Sequence, residues 1–150
     1  MAYKGKYKVK NEKKYLGDST KVTFRSLWER QVMKWLDDHP DVDKWNSEEV
    51  VIPYLSETDN RVHRYFTDFF IRFQNGDTYI IEVKPDSQTK PPKEPKTGRR
   101  TRRYINESLT YVKNISKWKA ATDYCSQRGW TFQVWTEKTL TSLGIKIAKK

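Results

Sequence analysis

The sequence predicts an α/β fold in which a central mixed β-sheet is flanked by helices. Three observations predict it. Apolar residues recur with helical spacing over residues 24–38 and again over about 104–128. Between them lie three stretches rich in β-branched and aromatic residues, at 48–55, 61–73 and 77–84. A fourth such stretch, 130–136, follows the second helix. At 150 residues the chain has room for one domain and one core, expected at 21–150 behind a tail at 1–20.

The elements follow in order. Residues 1–20 read as a basic, flexible tail. Lys4, Lys6, Lys8, Lys10, Lys13 and Lys14 alternate there with Tyr3, Tyr7 and Tyr15. The segment has no helical period and is expected to order only against a partner. In the first helix Phe24, Leu27, Trp28, Val32, Trp35 and Leu36 share one broad face. His39-Pro40 ends it, because the residue before a proline is steered out of the α region. The three strands come next, the last two joined by a tight turn at Asn75-Gly76.

Residues 85–103 change character. Four prolines, and eight Lys or Arg counted from Lys84, against two acids describe an exposed, mobile basic loop. Helical period then runs from about Tyr104 to Arg128, with Asn114-Ile115-Ser116 as a candidate break and Gly129 as the stop. Residues 130–136 form the fourth strand and 137–143 a short last helix.

Six Trp, nine Tyr and six Phe supply ample area for a small core. Lys plus Arg exceeds Asp plus Glu by eleven, which points to a polyanionic partner, nucleic acid ahead of an acidic membrane surface. The single cysteine, Cys125, excludes an intramolecular disulfide framework and fits a reducing compartment. No apolar run approaches the roughly 20 residues of a membrane span. The first residues lack the apolar stretch of a signal peptide. The expected location is therefore the cytosol or the interior of a particle.

The residues that carry chemistry cluster on the hairpin. Glu82 and Lys84 are two apart on one strand and share a face. Whether Asp68 joins them depends on the turn. A two-residue Asn75-Gly76 turn pairs Asp68 with Val83 and points it away from Glu82. A three-residue loop, Gln74-Asn75-Gly76, pairs Phe73 with Asp77 and Asp68 with Glu82. Both loops are common. The second sets two carboxylates side by side, a repulsive pair unless a cation lies between them. Such a pair, with a backbone carbonyl and water, suits Mg²⁺, which polarises a phosphate and acidifies a bound water. A neighbouring lysine can hold or deprotonate that water. Glu29 falls inside the core-facing arc of the first helix with Arg25 one turn before it, costly for charged groups unless they meet a polar site.

This pattern resembles the P-D…(D/E)-x-K nuclease superfamily, here Thr67-Asp68, thirteen residues, then Glu82-Val83-Lys84, with Glu29 in a preceding helix. More closely, FRSLWERQVMKWL, RYFTDFFIRFQNGDTYIIEVKP and KWKAATDYCSQRGWTFQVWTEKTL look like the endonuclease subunit family that cuts transposon ends, over about residues 24–143. Length, charge and the lysine-rich start also resemble the head completion nucleases of T-even-type tailed phages. The resemblance implies a restriction-endonuclease-like core. It implies that Asp68 and Glu82 bind Mg²⁺ (with Mn²⁺ as a substitute), that Val83 adds its carbonyl, that Lys84 is the catalytic lysine and that Glu29 is the helix carboxylate and a candidate further ligand. Thr67 replaces the usual proline, a change in local stiffness more than in chemistry.

The expected activity is Mg²⁺-dependent hydrolysis of double-stranded DNA, with 5′-phosphate and 3′-hydroxyl products implied by the family. The phage resemblance adds action on packaged DNA before tail attachment, phage head or portal proteins as partners, and a place in the virion and host cytoplasm. Arg25, Arg99, Arg100, Arg102 and Arg103, with Lys4, Lys6, Lys8 and Lys10, are candidate phosphate contacts. Gln133, polar within an aromatic strand, is a candidate accessory residue. Trp118 and Trp130 are expected in the core.

Each residue also has a plainer reading: Ser26-x-x-Glu29 as a helix capping box, Glu82 and Lys84 as an edge-strand pair, the arginines as a solvated loop. Two rival functions stand beside the nuclease. One is a non-catalytic DNA-binding virion protein that plugs or stabilises the filled head. The other is a repair or junction-resolving nuclease. A DNA-binding protein gains nothing from three carboxylates aimed at a polyanion.

Overall fold

In a computed structural model of the chain, which describes residues 4–147, the Asn75-Gly76 turn takes the three-residue form. Phe73 N–H donates to the Asp77 carbonyl at 2.8 Å and Gly76 N–H to the Phe73 carbonyl at 2.9 Å. Gly76 has φ of 93°, the positive region a glycine enters without strain. In chain order the elements are β1 (Gly5–Lys6), β2 (Thr23–Phe24), α1 (Leu27–Asp38), β3 (Val42–Ser47), β4 (Val51–Ser56), β5 (Arg61–Phe66), β6 (Phe69–Phe73), β7 (Thr78–Val83), α2 (Arg102–Ser126), β8 (Thr131–Trp135) and α3 (Glu137–Ser142).

Four strands form the central sheet in the order β3-β6-β7-β8. β6 is antiparallel to β3 and β7, while β8 joins β7 in parallel after the α2 crossover. The sheet is mixed and flanked by helices, the restriction-endonuclease-like arrangement. The side chains of β6 and β7 alternate between its two faces. Phe69, Ile71 and Ile81 pack with Val32, Met33 and Leu36 of α1. Phe70 and Ile80 pack with Cys125 of α2. Among the described residues no helix is long and apolar enough to cross a membrane.

The long expected strand 61–73 is two strands in different sheets. β5 pairs with β4 up to Phe66↔Val51, and β6 pairs with β3 from Phe69↔Ser47. The switch falls at Thr67-Asp68. Thr67 N–H and Oγ1 both donate to the Val50 carbonyl, at 3.1 and 2.9 Å. Proline would offer neither donor there, so threonine at this position pins the bend. Glu48, expected in a strand from 48, instead takes a positive φ of 56°, and its N–H meets the Thr67 carbonyl at 3.1 Å. β3 has no strong strand signature in VDKWNS. It forms because Trp45 is wholly buried in the α1 core. α2 runs unbroken through Asn114, which is buried on its packed side.

The N-terminal segment is not a free tail. Tyr3 lies outside the described residues, but from Lys4 onward the chain lies on α1 and β3. The alternation of lysines with other residues is the period of an extended strand: Lys4, Lys6, Lys8 and Lys10 are exposed, while Val9 is buried. Gly5 lets Phe24 close over β1, since a Cβ there would meet the ring at 2.6 Å. Asp37, fully buried, is the anchor. Its carboxylate accepts from Tyr7 Oη at 3.0 Å, Lys10 N–H at 2.7 Å and Asn11 N–H at 3.0 Å. Lys14 Nζ donates to the carbonyls of Asp37 and His39 at the C-terminal end of α1. Asp37→Ala leaves those donors without an acceptor and is expected to cost on the order of 3 kcal/mol in urea unfolding. Early proteolytic release of the first residues is the accompanying sign.

Candidate active site

Because β6 and β7 pair with Phe69 opposite Ile81, the next residues in register are Asp68 and Glu82. The two carboxylates are cross-strand neighbours on the face that α2 covers. Asp68 Oδ2 accepts from Val83 N–H at 2.8 Å. Glu82, only 5% exposed, has Oε2 held by Trp118 Nε1 of α2. Glu29 enters from the first turn of α1. Together with Arg25, Glu48, Arg64 and Lys117, these residues line a cleft of about 370 Å³ at the sheet edge where β5 gives way to β6.

The electrostatics are those of crowded acids. Burial pushes Asp68 well above the ordinary carboxylate range, and the charges of Glu82 and Glu29 push it further, against the Val83 amide and Lys84. Glu29 is also raised, by burial first, with Glu48 adding to it. The Arg25 amide, which donates to Glu29 Oε1 at 3.2 Å, opposes that shift, as do the charges of Arg25 and Lys84. Lys84 therefore acts on both acids. Its amide donates to the Trp135 carbonyl at 3.0 Å, which extends the β7 alternation and keeps the side chain on the face of Glu82.

A bound hard cation would relieve this crowding. Among the described residues no three His, Cys, Asp or Glu side chains stand close enough to hold a metal directly. Direct ligation would then fall to two carboxylates, Asp68 and Glu82. The Val83 carbonyl points to the same strand edge as the Val83 N–H that Asp68 accepts. Two carboxylates, one carbonyl and water fit Mg²⁺, which keeps part of its water shell. The Tyr65 hydroxyl, buried beside Glu82 and Asp68 without a hydrogen bond of good geometry, can serve such a water. Glu29 stands further out.

Other expectations change. Ser26 Oγ accepts from Glu29 N–H at 3.1 Å, but the Glu29 carboxylate turns to Arg25 N–H, so the capping box is only half formed. Gln133 does not reach the cleft. It pairs with Ile81, which puts it on the face opposite Glu82, and its Oε1 accepts from Trp135 Nε1 at 3.0 Å. Trp118 belongs to the site and not to the core, whereas Trp130 packs on Phe70 and Tyr124. Arg25 is at the rim, paired with Glu48 at 3.1 Å. Arg99, Arg100, Arg102 and Arg103 are exposed around the start of α2, Arg103 facing Glu107 at 3.3 Å. Lys10 lies 3.7 Å from Asp38, about two and a half turns of α1 away from Glu29.

Sequence reasoning missed Glu48 and Lys117. No pattern marks Glu48, since its place depends on a positive φ at the strand switch. Lys117 carried a readable signal: it lies one turn before Ala121 and two before Cys125, on the buried side of α2. Burial lowers its ammonium below the ordinary lysine range, with Lys84 and Lys113 adding to the effect.

Residues 39–137 match the family model described as TnsA-like endonuclease N terminal. Those residues contain Glu48, Asp68, Glu82, Lys84 and Lys117, while Glu29 precedes them. The chain is also similar to the protein named head completion nuclease of Enterobacteria phage T4, at 41% identity over 148 residues, 97% of this chain and 99% of that protein.

Proposed function

The chain belongs to the family of TnsA-like endonuclease N-terminal domains, and on that premise we propose that it is a Mg²⁺-dependent endodeoxyribonuclease hydrolysing phosphodiester bonds of double-stranded DNA. The juxtaposition of Asp68 and Glu82 across one strand pair, with Lys84 on the same face, carries this reading. Asp68, Glu82 and the Val83 carbonyl would hold the metal, with Glu29, standing further out, as a partner of its water. The ion, for which Mn²⁺ can substitute, supplies charge for the phosphoryl oxygens and a more acidic water.

The chain's own groups do the rest. Lys84 Nζ holds the attacking water in line with the scissile bond and takes up or shares its proton. Trp118 and the Val83 amide fix one oxygen of each carboxylate, so both acids are oriented before substrate arrives. Lys4, Lys6, Lys8 and Lys10, with Arg25, Arg99, Arg100, Arg102 and Arg103, supply sequence-independent affinity for phosphates. Similarity to a head completion nuclease supports action on packaged phage DNA before tail attachment, with head or portal proteins as neighbours and the virion as the site of action.

Against a purely structural DNA-binding role stands the cleft itself, where Glu29, Glu48, Asp68 and Glu82 would repel the very polyanion such a protein binds. The test is conversion of supercoiled plasmid to nicked and linear forms. Cleavage is expected in Mg²⁺ and not in EDTA. Tight binding without cleavage under any divalent ion would overturn the enzymatic reading, and preferential cutting of branched duplexes would favour a junction-resolving nuclease.

A further inference from the structure

Two cations that line the cleft, Arg64 and Lys117, are not used by the chemistry above; Arg64 is exposed and lies over the Phe66 ring, whereas Lys117 points to a role of its own. Lys117 reaches into the cleft from α2, which packs over the sheet face that carries Glu82. It is half-buried, and among the described residues it makes no ion pair and no hydrogen bond. Its Nζ lies 5.4 Å from the centre of the Tyr65 ring, whose face holds the ammonium without consuming its donors. Placing a charged amine where its N–H groups go unmatched is costly, and a ligand that brings acceptors offsets that cost.

The charge of Glu82 acts on Lys117, but the two form no ion pair or hydrogen bond among the described residues, and Glu82 Oε2 is bonded to Trp118, the next residue of the same helix. The rest of α2 indicates what the acceptor is. At about 100° per residue, Arg102, Asn106, Lys113 and Lys117 fall within one strip roughly 60° wide. That strip runs for roughly 22 Å along the helix. Lys117 is its buried end, where the strip enters the carboxylate cleft.

We propose that Lys117 is a second catalytic lysine, donating from Nζ to a non-bridging oxygen of the scissile phosphate, with Tyr65 as its positioning residue and the α2 strip tracking the adjoining DNA backbone. The assignment rests on the nuclease reading. Lys84 and Lys117 then flank the reacting centre, Lys84 holding the water from the strand that carries Glu82 and Lys117 holding the phosphate from the helix that orients Glu82. No bond forms or breaks at Lys117; it stabilises charge on the phosphoryl oxygens.

The test uses the full chain with Lys117→Met, which keeps the aliphatic stem over Tyr65, Lys117→Gln as a second neutral variant, and Lys117→Arg. A fluorescein-labelled duplex is titrated by anisotropy in EDTA across a series of salt concentrations, and plasmid cleavage is followed in Mg²⁺. The neutral variants are expected to flatten the slope of log Kd against log salt by about 0.9, the signature of one lost phosphate contact. Their kcat should fall about tenfold or more, and Lys117→Arg should recover the slope. Slower cleavage with an unchanged slope in a folded neutral variant would make Lys117 an internal counter-ion of Asp68 and Glu82 and overturn the proposal. An unchanged slope with an unchanged rate would overturn it too. Binding in EDTA needs no cleavage, so absence of nuclease activity in the wild type is read separately.

Discussion

Asp68→Asn is expected to abolish cleavage and, without divalent ions, to make the protein more stable at neutral pH. Both effects come from the same carboxylate. Asp68 is held well above the ordinary carboxylate range by burial and by the charges of Glu82 and Glu29. Such a group binds more protons folded than unfolded in the interval between its two pKa values. Its contribution to stability is therefore lost as pH rises from the unfolded value through the folded one. Above the unfolded carboxylate range, burying Asp68 beside Glu82 and Glu29 works against the fold.

Asparagine keeps the shape, still offers an oxygen to Val83 N–H, and removes the charge. Its unfolding midpoint in EDTA should exceed that of the wild type at neutral pH, and the gap should close as the pH falls and Asp68 is protonated. Mg²⁺ should raise the midpoint of the wild type far more than that of the variant, because only the wild type presents the ligand pair. Plasmid cleavage should fall by about 10³-fold or more, the equivalent of several kcal/mol of charge stabilisation lost with the metal. A variant that cuts DNA at the wild-type rate, or that is less stable than the wild type in EDTA at neutral pH, would refute the paired-carboxylate site.

The second large effect is on rate alone. Lys84→Ala should reduce cleavage on the order of 10²-fold or more while DNA binding in EDTA changes little. Lys84 sits one alternation beyond Glu82, with its amide bonded to Trp135, so its backbone is fixed by the sheet and the substitution removes only the side chain. Arginine should fail to rescue it, since a guanidinium does not give up a proton at working pH. This separates Lys84 from Lys117, where arginine should restore the phosphate contact. Wild-type rates in Lys84→Ala would remove Lys84 from the mechanism.

The acids also set the direction of the pH profile. Glu29 and Asp68 are both raised, so in the metal-free protein they are still partly protonated at pH values where an exposed carboxylate is fully ionised. Mg²⁺ bound at the proposed site would have to displace those protons. The metal concentration needed for half-maximal cleavage should therefore rise as the pH is lowered.

Much of this was legible in the chain itself. The face of α1, the Asn75-Gly76 hairpin and the Glu82-x-Lys84 alternation follow from local period and turn chemistry, which each short segment carries alone. Asp68 as a candidate site residue was legible too, because a carboxylate among Phe66, Phe69 and Phe70 has few structural excuses. Its register was not. Two loops of nearly equal merit put it on opposite faces, and the three-residue form was chosen by packing: Phe70 and Ile80 against α2, Phe69 and Ile81 against α1. β3, the split of 61–73 at Thr67-Asp68, and the docking of residues 4–21 on Asp37 were likewise decided by partners far away in sequence. The lysine alternation at the start was visible, but whether it meant a solvated tail or an edge segment depended on a buried aspartate 27 residues from Lys10. Periodicity reports what a backbone can do and which side it hides. What covers that side, and so which carboxylates meet, is settled only when non-local contacts offset the chain entropy of bringing distant segments together.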